Sequence, residues 1–170
     1  MKTTLITRYA YLAMACALAG CSTFGEGIVI PGKSTPQEVE ASLGRPTQRI
    51  DLASGSTNFY YSMQPFGRET YAVRFSRDRV ATAIEPLMTA ENFARLRVGD
   101  TTAQATRELL GPPYGLERLA RQSRDSWEYW TRLDAVPTRV WLQFSDDAIL
   151  REVVKWDESP PLSACGTPGC

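Results

Sequence analysis

The chain has 170 residues, 19 Lys and Arg against 19 Asp and Glu, and no histidine. Without imidazole there is no His general base, no Ser-His or Cys-His nucleophile pair and no His metal site. Balanced charge offers no basic face for nucleic acid. An apolar fraction of 43% is enough for the core of one domain or two small ones, which excludes a globally disordered chain.

Lys2 and Arg8 precede an apolar run from Tyr9 to Leu18. This is the n-region and h-region pattern of a secretory signal peptide, too short for a stable transmembrane span. The run ends in Leu18, Ala19, Gly20 and Cys21. These four positions resemble the lipobox of bacterial lipoproteins. The resemblance implies diacylglycerol on the Cys21 thiol, cleavage after Gly20, and acylation of the palmitate class on the new amino terminus. Two or more acyl chains make a stable anchor, because each buried CH₂ contributes about 0.8 kcal/mol. By the same resemblance, Ser22 is compatible with sorting to the outer membrane of a Gram-negative bacterium, on its periplasmic face. The alternative is an ordinary cleavage site that happens to precede a cysteine. Removal of residues 1–20 leaves 17 Lys and Arg against 19 Asp and Glu.

Residues 27–35, GIVIPGKST, satisfy the letters of a phosphate-binding loop through Gly27, Gly32, Lys33 and Ser34. The physics disagrees. Ile28, Val29 and Ile30 are β-branched and favour extended backbone, and Pro31 has no N–H for a phosphate. The short polar segment before the loop does not read as a buried strand. No nucleotide and no cofactor is expected.

An internal repeat explains the stretch better. GKSTPQEVEASLGRP at 32–46 aligns without a gap on GDTTAQATRELLGPP at 99–113. Lys33 becomes Asp100, so the unit does not need the lysine. In the first copy Thr35 is the helix N-cap, Pro36 the first helical residue and Glu38 the partner in a capping box. Val39 and Leu43 share a face. Gly44 stops the helix and Pro46 prevents its resumption. In the second copy Thr102, Leu109, Leu110, Gly111 and the pair Pro112-Pro113 take these parts.

Alternating strands follow each helix. NFYYS at 58–62 pairs with SWEYW at 126–130, and YAVRFSRDRV at 71–80 with VWLQFSDDAI at 140–149. SRD and SDD read as tight turns. MQPFGRE and LDAVPT read as the longer turns. The predicted fold class is α+β: two tandem repeats of one or two helices and a three-stranded antiparallel meander, with the helices packed on one sheet face. The organisation expected is a signal peptide at 1–20, a lipidated linker at 21–31, repeats at 32–88 and 89–156, and a flexible tail at 157–170.

GKSTPQEVEASLGRP and FARLRVGDTTAQATRELLGPP resemble the BamE-type (SmpA/OmlA) lipoprotein domain. The shared features are an apolar residue before Gly, a Thr or Ser cap, a Gln or Glu, an apolar residue, Leu-Gly-x-Pro, and then an aromatic strand and a V-x-F strand. The doubled α/β unit also resembles the β-lactamase inhibitor protein fold. The first resemblance implies a lipid-anchored, non-enzymatic scaffold or accessory factor in outer-membrane protein assembly or envelope integrity. The second implies an anchored protein inhibitor that binds an enzyme through its concave sheet.

The strand periodicity turns Phe59, Tyr61, Tyr71, Val73 and Phe75 toward the helices in the first repeat. In the second it turns Trp127, Tyr129, Val140, Leu142 and Phe144 the same way. Tyr60, Ala72 and Arg74, and Glu128, Trp130, Arg139, Trp141 and Gln143, then face outward. Tyr60, Arg74, Trp130, Arg139 and Trp141 are the partner-binding candidates, because Trp, Tyr and Arg dominate protein interfaces. The other reading is that the second repeat, a loop or the tail covers them. Trp156 fits either register. Arg118, Arg121 and Arg124 read as a solvated face or a contact for anionic headgroups. Cys165 and Cys170 bracket a Gly-Thr-Pro-Gly turn. They read either as a small disulfide ring or as two tail thiols without a role, and without His they make a poor metal site.

Overall fold

The computed structural model describes residues 24, 25 and 27–159. The lipobox residues Leu18, Ala19 and Gly20, the lipidation residue Cys21, and the pair Cys165 and Cys170 lie outside the described residues.

Helix α1, Pro36–Leu43, and helix α3, Ala103–Leu110, are the two copies of the repeated helix. Thr35 caps α1 in a full capping box with Glu38, and Thr102 caps α3 through its bond from the Ala105 amide. Gly44 and Gly111 end them with φ of 81° and 78°, in the half of backbone space that only glycine enters cheaply. A further helix, α2 at Ala90–Ala94, precedes α3 and is capped by Thr89.

The loop before each helix is tied to its own sheet by the same two bonds. The Gly32 amide donates to the Ala81 carbonyl at 2.7 Å, and the Ala81 amide to the Ser34 carbonyl at 2.8 Å. In the second repeat Gly99 donates to Leu150 at 2.8 Å, and Leu150 to Thr101 at 2.9 Å. The amides of Lys33 and Ser34 both turn back to the Ile30 carbonyl, and that of Thr35 to Glu38. The GKST amides are thus committed to carbonyls and a carboxylate. They do not converge on an anion, as a phosphate loop requires.

Each repeat builds a four-stranded antiparallel sheet in chain order, where three strands were expected. Sheet one is β1 (Gln48–Asp51), β2 (Thr57–Ser62), β3 (Thr70–Phe75) and β4 (Ala81–Pro86). Sheet two is β5 (Gly115–Leu119), β6 (Arg124–Leu133), β7 (Val136–Ser145) and β8 (Leu150–Asp157). The additional strands, β1 and β5, are short, polar edge strands, QRID and GLERL. Neither carries the apolar alternation that betrays a half-buried strand.

The turns also correct the reading. LDAVPT is not a long turn: Leu133 pairs with Val136, and Asp134 and Ala135 between them have φ of 51° and 67°. Two successive left-handed residues make the tight primed turn that matches strand twist. MQPFGRE does form a long loop, residues 63–69, between Ser62 and Thr70.

The layers alternate. Val39 and partly buried Leu43 of α1 pack on Phe59, Tyr61, Val73 and Phe75, which form one core with Val29 and Ala81. The opposite face of sheet one presents Tyr60 and Ala72 to a second core. That core holds Leu87, Phe93, Leu96 and Leu110 from the α2–α3 region, and Trp127, Tyr129, Val140, Leu142 and Phe144 from sheet two. The order is therefore α1, sheet one, α2 and α3, sheet two. Helices lie on both faces of sheet one, in place of the expected single helical face. Among the described residues, sheet two keeps one face without a helix. Each large apolar side chain buried in this way contributes about 1.5–3 kcal/mol.

Candidate protein-binding face

Strand register decides which side chains share the open face of sheet two, because residues paired across antiparallel strands point the same way. Glu128 pairs with Trp141, and Trp141 with Val154. Trp130 pairs with Arg139, and Arg139 with Trp156. Two adjacent rows thus bring Trp130, Trp141 and Trp156, three of the four tryptophans, onto one face with Val154. Trp156 is 64% exposed and Val154 37%. Trp130 and Trp141 are half-buried. The register removes the ambiguity of Trp156.

Trp130 is the best-supported of the three. Its indole Nε1 donates to Glu128 Oε1 at 2.7 Å. The Tyr114 ring lies 4.5 Å away, and the guanidinium groups of Arg139 and Arg68 sit over the indole at 4.5 and 5.7 Å. Glu158 binds both cations, Arg139 at 2.7 Å and Arg68 at 2.5 Å. Burial works against the Glu158 charge, but the hydrogen bonds from Arg68 and Arg139 outweigh it and hold the carboxyl below the usual range. A fixed indole meets a partner at little further entropic cost.

Arg68 belongs to the 63–69 loop of the first repeat, so that loop reaches across to sheet two. Gln64 Nε2 donates to the Trp130 carbonyl at 3.1 Å, and Glu69 pairs with Arg132 at 3.2 Å. Phe66 at its tip is fully exposed. The loop that carries it touches sheet two through Gln64, Arg68 and Glu69.

The five sequence candidates separate. Trp130, Arg139 and Trp141 lie on the open face. Tyr60 and Arg74 do not. Tyr60 is completely buried in the core between the repeats. Arg74 pairs with Glu85 and reaches the Glu108 carbonyl of α3. Both do point away from α1, but the second repeat covers that face, and alternation cannot say what covers a face. Phe66, Arg68 and Glu158 were missed, and Trp156 was left undecided, because each depends on a loop or a register fixed by tertiary contacts.

The arginines of 118–124 do not share a helical face. Arg118 is on β5 between Asp125 and Asp146, and Arg124 is on β6 between Gln143 and Glu152. Two of the three cations are thus neutralised, which weakens a headgroup contact. Among the described residues no cluster of His, Cys, Asp and Glu groups is built to hold a metal ion, and no helix is long and apolar enough to cross a membrane.

The geometry defines a two-repeat α+β protein with one open aromatic sheet face. No protein-family model matches the chain. No curated protein matches it either. Two solved structures are similar to it. One is a DUF4309 family protein, YjgB, from Bacillus subtilis subsp. subtilis str. 168, at 18% identity over 76% of this chain and 82% of that one, with a TM-score of 0.32. The other is a β-lactamase inhibitor-like protein from Streptococcus mutans, at 11% identity over 79% of this chain and 93% of that one, with a TM-score of 0.33. These comparisons contain no BamE-type protein. Superposition this loose carries no functional argument.

Proposed function

We propose that this chain is a non-enzymatic, lipid-anchored protein of the bacterial envelope that binds a protein partner through the open face of sheet two. The carrying observation is the contrast between equivalent sheet faces. In sheet one the second face is covered by α2 and α3 and carries Tyr60 and Ala72. In sheet two the corresponding face carries Trp130, Trp141 and Trp156, and among the described residues no helix lies over it. Large exposed aromatic surface on a monomer marks an interaction site, and Trp and Arg are the residues that anchor such sites. The lipobox-like Leu18-Ala19-Gly20-Cys21 motivates the anchor, at the periplasmic side of an outer membrane.

The partner class follows from the resemblance of the two repeats to BamE-type domains: a component or client of outer-membrane protein assembly. Light cross-linking of the native envelope, affinity purification and mass spectrometry test this. Recovery of barrel proteins or barrel-assembly components, lost with Trp130→Ala and Trp141→Ala, supports it. Recovery of one soluble periplasmic enzyme through the same face replaces it with the anchored-inhibitor reading. Failure of the anchor itself would show as unlabelled Cys21 after growth on a fatty-acid probe.

A further inference from the structure

Two surface grooves on another side of the molecule meet at one pair of side chains. The first, about 420 Å³, runs between β1 and α3 and is lined by Gln48, Ile50, Gln104, Arg107, Glu108 and Trp127. The second, about 390 Å³, continues along β5 and is lined by Arg107, Leu116, Glu117, Arg118, Asp125 and Trp127. Arg107 and Trp127 belong to both. The Arg107 guanidinium lies over the Trp127 indole, 4.8 Å from its centroid.

The polar groups here are unequally satisfied. Arg118 has Asp125 and Asp146. Glu108 accepts from Gln104 at 3.0 Å. Arg107 has no ion-pair partner among the described residues, and its Nε is buried without an acceptor. Gln48 Oε1, on the β1 side, is buried without a donor. Native structures leave few such atoms, and each asks for a partner. Neither atom is open to the groove as the side chains stand. A ligand pairs with both only once Arg107 and Gln48 turn outward, and it must then carry an acceptor for the guanidinium and a donor for the amide oxygen.

The repeat supplies an internal control. Arg107 corresponds to Glu40 and Trp127 to Phe59 in the first copy. The unit therefore folds without a guanidinium or an indole at these places. An arginine over this strand aromatic recurs in the first copy, where Arg49 of β1 lies 5.8 Å from the Phe59 centroid. Particular to the second copy is that the helix supplies it, over an indole.

We propose that this groove binds the C-terminal end of a peptide chain. The terminal carboxylate accepts from Arg107, which suits the planar fork of guanidinium donors. The last amide N–H donates to Gln48 Oε1. An apolar last side chain rests on Ile50, Trp127 and Leu116, the last of which is 64% exposed. Among the described residues both flanking strands are sheet edges, β1 bonded only to β2 and β5 only to β6, so each offers backbone groups to an extended chain.

The test uses the purified protein with labelled indoles, whose four tryptophans report separately by NMR. The Trp127 signal is assigned with Trp127→Phe. The probes are N-acetyl-Ala-Leu with a free carboxylate, the same dipeptide as its C-terminal amide, and acetate. The expected result is a saturable shift of the Trp127 signal by the free-carboxylate peptide. The amide should bind about tenfold more weakly or worse, and acetate should not saturate. Arg107→Gln should remove the preference for the carboxylate, and Arg107→Lys should keep part of it. Equal binding of acid and amide, saturation by acetate, or no shift at millimolar peptide would each overturn the proposal. Should Arg107→Gln unfold, the acid–amide comparison on the unaltered protein decides alone. Shifts confined to Trp130, Trp141 and Trp156 would place the peptide on the open face, overturn the groove and leave the proposed function standing.

Discussion

The Tyr129 hydroxyl donates to the Gly111 carbonyl at 3.1 Å, and its first-repeat counterpart Tyr61 does the same to Gly44 at 3.2 Å. A strand tyrosine thus closes the end of its own repeat's helix in both copies. The surroundings differ. Gly111 is buried beneath sheet one, whereas Gly44 is exposed. Removal of the hydroxyl by Tyr129→Phe leaves a buried carbonyl unpaired and should cost about 1–3 kcal/mol, while Tyr61→Phe, with water able to reach Gly44, should cost about 0.5–1.5 kcal/mol. Denaturant midpoints for the two variants check the order, and equal losses would contradict the burial of Gly111 between the repeats.

The cap glycines should show the same asymmetry. Both have positive φ with extended ψ, a region that is essentially closed to other residues and costs about 1–3 kcal/mol. A Cβ on Gly44 meets nothing within 4 Å, but one on Gly111 would lie 3.0 Å from Tyr60 Cδ1 and 3.1 Å from Thr70 Cγ2. Gly111→Ala should therefore destabilise more than Gly44→Ala. Thermal unfolding of the two variants measures the difference. Equal losses would mean that strain alone sets the cost.

Alkaline titration should resolve the buried tyrosines. Burial, reinforced by the charge of Glu40, pushes Tyr61 up to about 12, and burial pushes Tyr129 higher still. Their folded pKa values exceed the unfolded value of about 10. Their contribution to stability is therefore complete below that pH and is lost as pH rises above it. Ultraviolet absorbance should show exposed tyrosines ionising first, Tyr61 later, and Tyr129 only as the protein unfolds. Ionisation of Tyr129 in a still-folded chain would contradict its burial.

Glu158 should act as an acid-sensitive tie. Its carboxyl is held low by Arg68 and Arg139. The stabilisation it gives is thus present above the ordinary glutamate range, about 4.3, and is lost as pH falls through its lower folded value. Glu158→Gln should release Arg68 and speed amide hydrogen exchange in the 63–69 loop at neutral pH, about as acid does in the unaltered protein. Unchanged loop protection would show that Gln64 and Glu69 suffice to hold it.

Trp156→Ala should leave stability within about 0.5 kcal/mol, as for other exposed positions, and should weaken partner capture if the open face binds. Unaltered capture would confine the interface to Trp130 and Trp141.

Much of the repeat was legible because its signals are local. Caps at Thr35 and Thr102, stops at Gly44 and Gly111, and alternation in the central strands each depend on neighbours a few residues apart. By itself the sequence determined that there are two copies, where their helices start and stop, and which side chains of each strand share a face. Only the tertiary structure decided what each face meets. Tyr60 and Trp130 stand on equivalent outward faces with similar aromatic character, yet α2 and α3 bury one and leave the other toward solvent. Strand alternation encodes a side and not its cover. The cover is set by contacts such as Tyr60 with Gly111 and Arg68 with Trp130, between residues more than 50 apart in the chain, which no local pattern records.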